Sequence, residues 1–293
     1  MLQLVTYHSH KSRILEYILK GRLYVALFYD LTIKIKIKIL NKSMHYKSIF
    51  ISDIHLGTRG CSAEELLHFL KNTTCDNLFL VGDIIDGWQL KKRWYFPQSH
   101  VNIIRDFLTK TKRGTKVYYI IGNHDETLRK FLGFQLTVGS IKFKNTHDYF
   151  GIDGKKYLIV HGDMFDSLMV YPKKWLMHIG DNLYVSLIWV NTKLNKIRNM
   201  FGMKYWSLSN FLKKNTKQAL TFITKYEEHI AKYCKEKGYD GVICGHIHTA
   251  EIKEIDGITY MNDGDWVESR TALVEHTDGR WELINYDKDF ADN

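Results

Sequence analysis

Five short motifs rich in Asp, Asn and His recur along this chain, and their side chains are of the types that bind metal ions in enzymes. In chain order they are Ser52-Asp53-Ile54-His55, Gly82-Asp83-Ile84-Ile85-Asp86, Gly122-Asn123-His124-Asp125-Glu126, His161-Gly162-Asp163 and Gly245-His246-Ile247-His248. Together they offer enough carboxylate, amide and imidazole donors for two ions. Two ions held about 3.5–4 Å apart can promote displacement at phosphorus. The motifs therefore predict hydrolysis of a phosphate ester.

The donor types also indicate which metals would bind. Asp83 follows Gly82, whose backbone freedom allows a turn that lets the carboxylate bridge two ions. Mixed nitrogen and oxygen ligation suits manganese, iron, zinc or cobalt better than calcium or magnesium. We expect two divalent metal ions, with manganese as the first expectation and iron, zinc and cobalt as the alternatives.

Each motif taken alone has an ordinary structural explanation. Asp-x-His and Gly-Asp sequences are common in turns with solvated side chains, and an isolated Gly-His pair is more often structural than a ligand. The metal interpretation is favoured because every motif follows a predicted strand and because the set completes two coordination spheres.

Short apolar runs predict the strands that position the motifs. The runs cover residues 48–51, 78–81, 117–121, 158–160 and 241–244, followed by 258–261 and 271–274. Helical spacing occupies residues 62–71 and 98–112, and Ser62 with Glu65 is typical of a capping box. Alternating strands and helices predict parallel strands in a central sheet, whose ligand site gathers at the carboxyl ends of the strands.

The formal net charge is +10, but the basic residues are unevenly distributed. Residues 1–47 hold nine Lys/Arg against two acidic residues, and residues 164–238 hold thirteen against five. The rest of the chain, which carries the motifs, holds twenty against twenty-five. This acidic balance suits a cation site and lacks the basic groove that long nucleic acid requires. Nucleic acid is therefore not expected as a partner, although segment 164–238 could supply such a groove.

Cysteine usage and hydropathy bear on the compartment. The four cysteines, Cys61, Cys75, Cys234 and Cys244, show no Cys-x-x-Cys spacing, as expected in a reducing compartment. No apolar run approaches the ~18 residues of a membrane-spanning helix, and basic residues interrupt any secretory leader pattern at the start. We expect a cytoplasmic location, with peripheral contact at the inner membrane as an open alternative.

Two segments depart from the alternation of predicted strands and helices. Residues 1–45 are expected to be an N-terminal extension of uncertain order, in which residues 33–39 alternate Ile and Lys. This alternation fits an edge hairpin, and the alternative is a poorly ordered extension before a true start at Met44. Residues 46–293 are expected to form one domain with a helical insertion at about 165–238.

The insertion carries an apolar stripe at helical spacing, flanked by basic residues. The stripe consists of Trp175, Leu176, Ile179, Leu183, Leu187 and Val190. One interpretation is a pair of helices that pack on the core and leave a solvated basic face. The other is an amphipathic cap that holds an acyl chain or rests on anionic lipid. The two interpretations are compatible.

The ordered motifs resemble those of calcineurin-like metallophosphoesterases over about residues 47–285. The resemblance implies an α/β fold, namely a four-layer αββα metallophosphoesterase sandwich with a helical cap insertion. It implies that one ion is bound by Asp53, His55, Asp83 and His248, and the other by Asp83, Asn123, His161 and His246. It further implies attack by a hydroxide bridging the two ions, with His124 as proton donor or transition-state stabiliser, held by Asp125.

Within this family the chain is most similar to the UDP-2,3-diacylglucosamine pyrophosphatase-like branch, which is associated with lipid A synthesis. The similarity rests on residues 52–57, on the insertion after His161-Gly162-Asp163, and on Gly245-His246-Ile247-His248. The pyrophosphatases themselves usually have Arg at the position of His124, so their substrate is not carried over directly. The resemblance implies a phosphodiester or pyrophosphate bond in a phosphorylated lipid or nucleotide substrate, such as UDP-2,3-diacylglucosamine.

Two other functions remain as alternatives. One is a nuclease or cyclic-nucleotide phosphodiesterase on the same core. The other is a non-catalytic metal-binding scaffold, which would need a damaged ligand set, and none of the seven ligand positions is missing.

Trp88, Lys91, Lys92 and Arg93 follow the second motif and are expected to contact the substrate, with a solvated loop as the alternative. The sequence does not indicate an oligomeric state.

Overall fold

The computed structural model describes residues 44–134, 137–138, 140–168 and 217–290, together with residues 195, 198 and 200. The extension before Met44 and most of the predicted insertion lie outside the described residues. The hairpin at residues 33–39 and the apolar stripe of the insertion therefore stay predictions. The described chain from His45 onward belongs to one compact unit.

The described residues form two β-sheets flanked by helices. The strands are β1 (Met44–Ile51), β2 (Thr73–Val81), β3 (Lys116–Ile120), β4 (Thr137–Val138), β5 (Ile141–Lys144), β6 (Thr146–Phe150), β7 (Lys156–Val160), β8 (Gly241–Cys244), β9 (Glu251–Ile255), β10 (Ile258–Asn262), β11 (Thr271–Glu275) and β12 (Trp281–Asn285). The helices are α1 (Ala63–Asn72), α2 (Gly87–Lys92), α3 (Gln98–Lys112), α4 (Lys217–Glu236) and α5 (Tyr286–Asp289), with 3-10 segments at Glu126–Phe134 and Asp163–Leu168. In this described part, no helix is long and apolar enough to cross a bilayer.

The first sheet has the order β12-β11-β1-β2-β3-β5-β4, and the second has the order β6-β7-β8-β10-β9. Strand β3 pairs in parallel with β2 and β5, and β8 pairs in parallel with β7 and β10. The carboxyl ends of these strands therefore lie along one edge of each sheet. Antiparallel pairs, such as β11 with β12 and β9 with β10, complete the margins.

One face of each sheet fills the space between them. Phe50 and Phe79 of the first sheet share a buried cluster with Tyr157 and Ile243 of the second. The rings of Phe50 and Phe79 stack with centroids 4.8 Å apart. Because successive side chains alternate along a strand, the residues next to these in sequence point to the outer faces.

Helices cover the outer face of each sheet. Ile49 of the first sheet packs in a cluster with Phe69 of α1 and Phe107 of α3. Val242 of the second sheet packs in a separate cluster with Ile230 of α4. Burial of both faces explains why these strands are near-continuous apolar runs in the sequence. The predicted α-β-β-α layering is confirmed for the described residues.

Helix α1 begins after Ser62, as predicted, but the predicted capping box is wrong. The Ser62 side chain makes no capping hydrogen bond to the helix. Arg270 Nε instead donates to Ser62 Oγ at 3.0 Å, and the same guanidinium group lies 3.7 Å from Glu65. Arg270, which is distant in sequence, therefore competes with the amides of the first helical turn for the side chains of Ser62 and Glu65.

Replacing Phe79 by Ala tests the layer between the sheets. Phe79 is 1% exposed and stacks on both Phe50 and Tyr118. Because truncation leaves a cavity among aromatic rings, we expect the free energy of unfolding in urea to fall by about 3–5 kcal/mol. Phe150→Ala is the matched control, because Phe150 is 67% exposed, and it should cost less than about 0.5 kcal/mol. Equal losses for the two variants would contradict this assignment of the core.

Candidate metal centre

The motifs meet where the carboxyl ends of the strands come together. Asp53, Asp83, Asn123, His161 and His246 follow β1, β2, β3, β7 and β8, respectively. Backbone bonds join the loops: Asp53 N donates to Gly82 O at 3.0 Å, and Gly245 N donates to His161 O at 3.1 Å. The loops therefore hold one another in place independently of the side chains.

Five of the predicted ligands have left-handed backbone conformations. They are Asp53 (φ 48°), His55 (φ 52°), Asp83 (φ 53°), His246 (φ 69°) and His248 (φ 53°). This conformation is uncommon for residues other than glycine, and such strain costs on the order of 1–3 kcal/mol per residue. It persists only where the surrounding structure imposes it. Its concentration at ligand positions indicates a functional site.

Two motif glycines allow the ligand loops to approach closely. A Cβ atom at Gly122 would lie 2.2 Å from Asp83 Oδ1, and one at Gly245 would lie 2.5 Å from Asp53 Oδ2. Any side chain at either position would displace a carboxylate. The glycines of the motifs are therefore required by packing rather than by turn chemistry alone.

Asp53, His55 and His248 form the first ligand group, with donor atoms within 4.8 Å of one another. His248 Nε2 lies 3.0 Å from Asp53 Oδ1, and His55 Nε2 lies 3.8 Å from the same oxygen. This oxygen is buried and makes no well-aligned hydrogen bond within the part of the chain that the structure describes. A buried carboxylate oxygen that faces two imidazole nitrogens in this way fits a cation.

Asp83, Asn123 and His161 form the second group. His161 Nε2 lies 3.3 Å from Asp83 Oδ2 and 3.3 Å from Asn123 Oδ1. Asp83 Oδ2 also lies 4.0 Å from His55 Nε2, which belongs to the first group. Asp83 therefore lies between the two groups, where a bridging ligand has to be.

His246 lies beside the second group and contacts the carboxylate of Asp166, which was not predicted from the sequence as a site residue. Its ring centroid is 5.0 Å from that of His161. Its Nε2 lies 2.9 Å and 3.0 Å from the two carboxylate oxygens of Asp166. The available signal was an acidic residue shortly after His161, which by itself has no particular meaning.

Asp86 connects the first group to His124. One Asp86 oxygen lies 3.2 Å from His55 Nδ1, and the other lies 3.1 Å from His124 Nδ1. His124 Nε2 lies 3.9 Å from Asp83 Oδ2. Asp86 belongs to the second motif, but its role was not predicted from the sequence. In the structure it orients both histidines.

The expectation that Asp125 holds His124 is wrong. The Asp125 carboxylate accepts hydrogen bonds from Gly122 N at 2.6 Å, Ile84 N at 3.1 Å and the Tyr119 hydroxyl at 2.6 Å. These donors lie on β3 and on the loops after β2 and β3, so Asp125 ties two ligand loops together. Burial, together with the charge of Asp83, raises the pKa of Asp125 to about 6.

Ser52 and Asp263 hold the other oxygen of Asp53. Ser52 Oγ lies 2.7 Å from Asp53 Oδ2 and 2.6 Å from Asp263 Oδ1. Burial, reinforced by the charge of Asp53, raises the pKa of Asp263 well above its usual range. When it is protonated, the Asp263 carboxyl group can donate to Ser52 Oγ, which leaves the single Ser52 proton for Asp53. This arrangement leaves Asp53 Oδ1 facing the first ligand group.

The electrostatics of the site favour added positive charge. Burial lowers the pKa of His55, but hydrogen bonds to Asp53 and Asp86 and the charge of Asp83 outweigh it, and the pKa rises to about 10. Burial likewise opposes protonation of His161, but the charges of Asp83 and Asp53 raise its pKa well above the usual value. Protons on imidazoles thus compensate the buried carboxylates. Divalent cations would supply the same compensation, so the donor set fits two metal ions.

The four residues expected to bind substrate lie on α2 or directly after it. The three basic residues, Lys91, Lys92 and Arg93, are exposed at the end of the helix. Trp88 is 36% exposed, and its ring lies 4.2 Å from that of His124 between centroids. Trp88 therefore borders the metal centre through His124.

A family model described as calcineurin-like phosphoesterase matches residues 46–250. The chain belongs to the calcineurin-like phosphoesterase family. The UDP-2,3-diacylglucosamine hydrolase of Aliivibrio fischeri (strain MJ11) is 26% identical over 254 residues, which cover 80% of this chain and 96% of that protein. The protein of the same name from Histophilus somni (strain 2336) is 30% identical over 247 residues, covering 80% and 97%.

A solved archaeal phosphodiesterase aligns with 81% of this chain and 98% of its own, with 13% identity and a TM-score of 0.40. Membership of the family makes the chain a metal-dependent hydrolase of phosphoester or pyrophosphate bonds. The resemblance stated from the motifs is thereby confirmed. The family also implies divalent metal ions, and the clusters of Asp and His described above are candidates to hold them.

Stabilisation of this phosphoesterase by Mn²⁺ should increase with pH. The pKa of His55 is raised from about 6.5 in the unfolded chain to about 10 in the folded protein. Its proton therefore stabilises the metal-free protein fully below about pH 6.5, and this stabilisation is lost as the pH rises towards about 10. Metal binding requires the neutral imidazole. The increase in melting temperature caused by Mn²⁺, measured by scanning fluorimetry, should therefore be larger at about pH 8.5 than at about pH 6. An increase that does not change with pH would contradict this electrostatic account.

Gly122→Ala tests the packing of the ligand loops. The new Cβ atom displaces the Asp83 carboxylate, so we expect Mn²⁺ affinity by titration calorimetry to fall about 10-fold or more. Gly114→Ala is the control, because Gly114 also has a positive φ (98°) but no atom near its Cβ position. It should lower stability without changing Mn²⁺ affinity. Equal affinities for Gly122→Ala and the wild type would contradict the role of Gly122.

Proposed function

We propose that this phosphoesterase uses two divalent ions, manganese in the first instance, to hydrolyse a phosphodiester or pyrophosphate bond in a substrate such as UDP-2,3-diacylglucosamine. The observation that carries this proposal is the position of Asp83, whose Oδ2 lies 3.3 Å from His161 Nε2 and 4.0 Å from His55 Nε2. One carboxylate thus faces both ligand groups. The substrate is supported by relatives named for it that align with most of this chain.

The ligands divide between the two ions around Asp83. We assign Asp53, His55, Asp83 and His248 to one ion, and Asp83, Asn123, His161 and His246 to the other. When bound, the ions offset the charge of the phosphoryl group and lower the pKa of water. Asp125, Ser52 and Asp263 keep the ligand carboxylates in position through the hydrogen bonds described above.

His124 would act on the leaving oxygen. Its Nδ1 lies 3.1 Å from Asp86 Oδ1, and its Nε2 lies 3.9 Å from Asp83 Oδ2 and so is directed at the site. An imidazole held in this way can donate the Nε2 proton to the oxygen that departs from phosphorus. The ring of Trp88 packs against His124 and limits its movement. Asp86 and Trp88 therefore position the proton donor.

The remaining substrate contacts are assigned to the segment that follows Asp86. Lys91, Lys92 and Arg93 are exposed next to Trp88 and can pair with phosphate charge. The insertion at about 165–238, whose sequence is basic and aromatic, would cover the lipid part of the substrate. We further propose that the protein acts in the cytoplasm, in peripheral contact with the inner membrane, where it would meet a lipid-linked substrate.

A substrate panel with Mn²⁺ tests this function. The panel contains UDP-2,3-diacylglucosamine, CDP-diacylglycerol, bis-p-nitrophenyl phosphate and cyclic nucleotides, and we expect the highest kcat/KM on the first. Asp83→Ala should lower that value by ~10³-fold, because losing a ligand shared by both ions removes several kcal/mol of transition-state stabilisation. Asp76→Ala, which removes an exposed carboxylate paired with Lys47, should leave it unchanged. Preferential cleavage of cyclic nucleotides, or full activity in Asp83→Ala, would refute the proposal.

His124→Ala separates proton donation from metal binding. We expect kcat to fall by about 10²–10⁴-fold, the usual contribution of a general acid. Mn²⁺ affinity by calorimetry should remain close to that of the wild type, since His124 is not among the assigned ligands. A substrate with a p-nitrophenolate leaving group needs little protonation and should lose less activity than the lipid-linked one. Equal losses on the two substrates would contradict this role.

A further inference from the structure

Two histidines of the site, His55 and His161, have their Nδ1 atoms directed outwards to an acceptor. His55 Nδ1 lies 3.2 Å from Asp86 Oδ2, and His161 Nδ1 lies 2.9 Å from the carbonyl oxygen of Val81. Their Nε2 atoms face the ligand carboxylates. An acceptor at one nitrogen fixes the proton there and leaves the lone pair of the other nitrogen free to bind metal.

His246 has the reverse arrangement. Its Nε2, not its Nδ1, lies 2.9 Å and 3.0 Å from the two oxygens of Asp166. An ionised carboxylate can only accept hydrogen bonds, so in the neutral ring Nε2 carries the proton and Nδ1 carries the lone pair. His246 can then bind a metal ion only through Nδ1, the opposite nitrogen from that used by His55 and His161.

The surroundings of His246 restrict its ring. The ring centroids of His161 and Tyr226 lie 5.0 Å and 6.1 Å from that of His246. The backbone N of His246 donates to Asp53 Oδ2 at 2.8 Å, which fixes the start of the side chain. A flip of the ring would exchange its two nitrogens, and the contact with Asp166 opposes that flip.

Asp166 is itself held by the core. It lies in the 3-10 segment Asp163–Leu168, and its neighbour Phe165 is fully buried. The Phe165 ring lies 5.3 Å from that of Tyr233 on α4, between centroids. Phe165 N also donates to Gly162 O at 3.0 Å. The backbone that carries Asp166 is therefore anchored, although 41% of its side chain is exposed.

We propose that Asp166 is a positioning residue that holds the Nε2–H tautomer of His246 and so presents Nδ1 to the metal site. The inference rests on the two-ion site of the proposed function. It adds a carboxylate–histidine–metal arrangement at the ion assigned to His246, with the two ring nitrogens exchanged relative to the Asp86–His55 pair at the other ion. Such outer carboxylates raise the basicity of the ligand, and their loss typically weakens metal binding by about 10–100-fold.

Nitrogen-15 NMR of the Zn²⁺-loaded full chain reads the tautomer directly. In the wild type we expect the His246 proton on Nε2 and a metal-shifted Nδ1, with the opposite pattern for His55 and His161. In Asp166→Asn the amide can donate to Nε2 and so favours the proton on Nδ1. Calorimetric titration with Zn²⁺ should then show one ion bound about 10–100-fold more weakly and the other unchanged. Asp166→Glu should restore most of the lost affinity.

Asp163→Asn is the matched control, because it makes the same substitution in the same segment. Asp163 pairs with Arg129 at 2.8 Å, and the variant should keep the wild-type tautomer of His246 and both metal affinities. A wild-type His246 protonated on Nδ1, or an Asp166→Asn variant that binds both ions as tightly as the wild type, would overturn the proposal. These measurements use no substrate. A wild type inactive on the whole panel would therefore refute the proposed function and leave this inference intact.

Discussion

The burial of two carboxylates, Asp53 and Asp83, is the constraint on which the rest of the site depends. Both are almost fully buried, and they share one cluster of ligand atoms with His161. Ionised groups are costly to bury unless they are paired and hydrogen-bonded. Surrounding imidazoles, donated hydrogen bonds and, in the family to which the chain belongs, divalent ions provide the compensation. The same carboxylates favour positive charge on nearby groups, and the pKa of His55 is accordingly raised to about 10.

The two-sheet core provides the rigidity that this burial requires. Strands with apolar residues on both faces are fixed by the layer between the sheets and by the helices outside them. Their ends can therefore hold left-handed residues and loops in close contact, at a conformational cost that a free loop could not sustain. Other groups complete the arrangement: Asp86 contacts His55 and His124, Asp166 contacts His246, and Asp125 ties two loops together. Several proposed ligands are therefore held by residues outside the proposed ligand set.

Much of this could be predicted from the sequence, because it depends on short-range patterns. The apolar runs identified the strands that end at the motifs, and the donor types predicted the Asp and His groups that the structure brings together as a candidate metal centre. Contacts between residues far apart in sequence could not be predicted in this way. Arg270 takes the place of the helix amides at Ser62 and Glu65, so the capping box failed. Asp125 bonds to Ile84 and Tyr119 instead of His124, because those donors come within reach only after the strands pair.

The sequence by itself determined the fold class, the family and the ligand types, since side-chain alternation and the order of the motifs are properties of the chain alone. Only the tertiary structure decided which oxygen and which nitrogen of each residue face the site. That choice depends on distances between separate loops, such as the 2.9 Å between His246 Nε2 and Asp166 Oδ1. A carboxylate has two oxygens and an imidazole has two nitrogens, and either atom can bind a metal ion. Packing decides which of the two atoms forms a hydrogen bond with a neighbouring group and which one faces the site. The sequence specifies which side chains are present, whereas the packing of the two sheets sets their orientation.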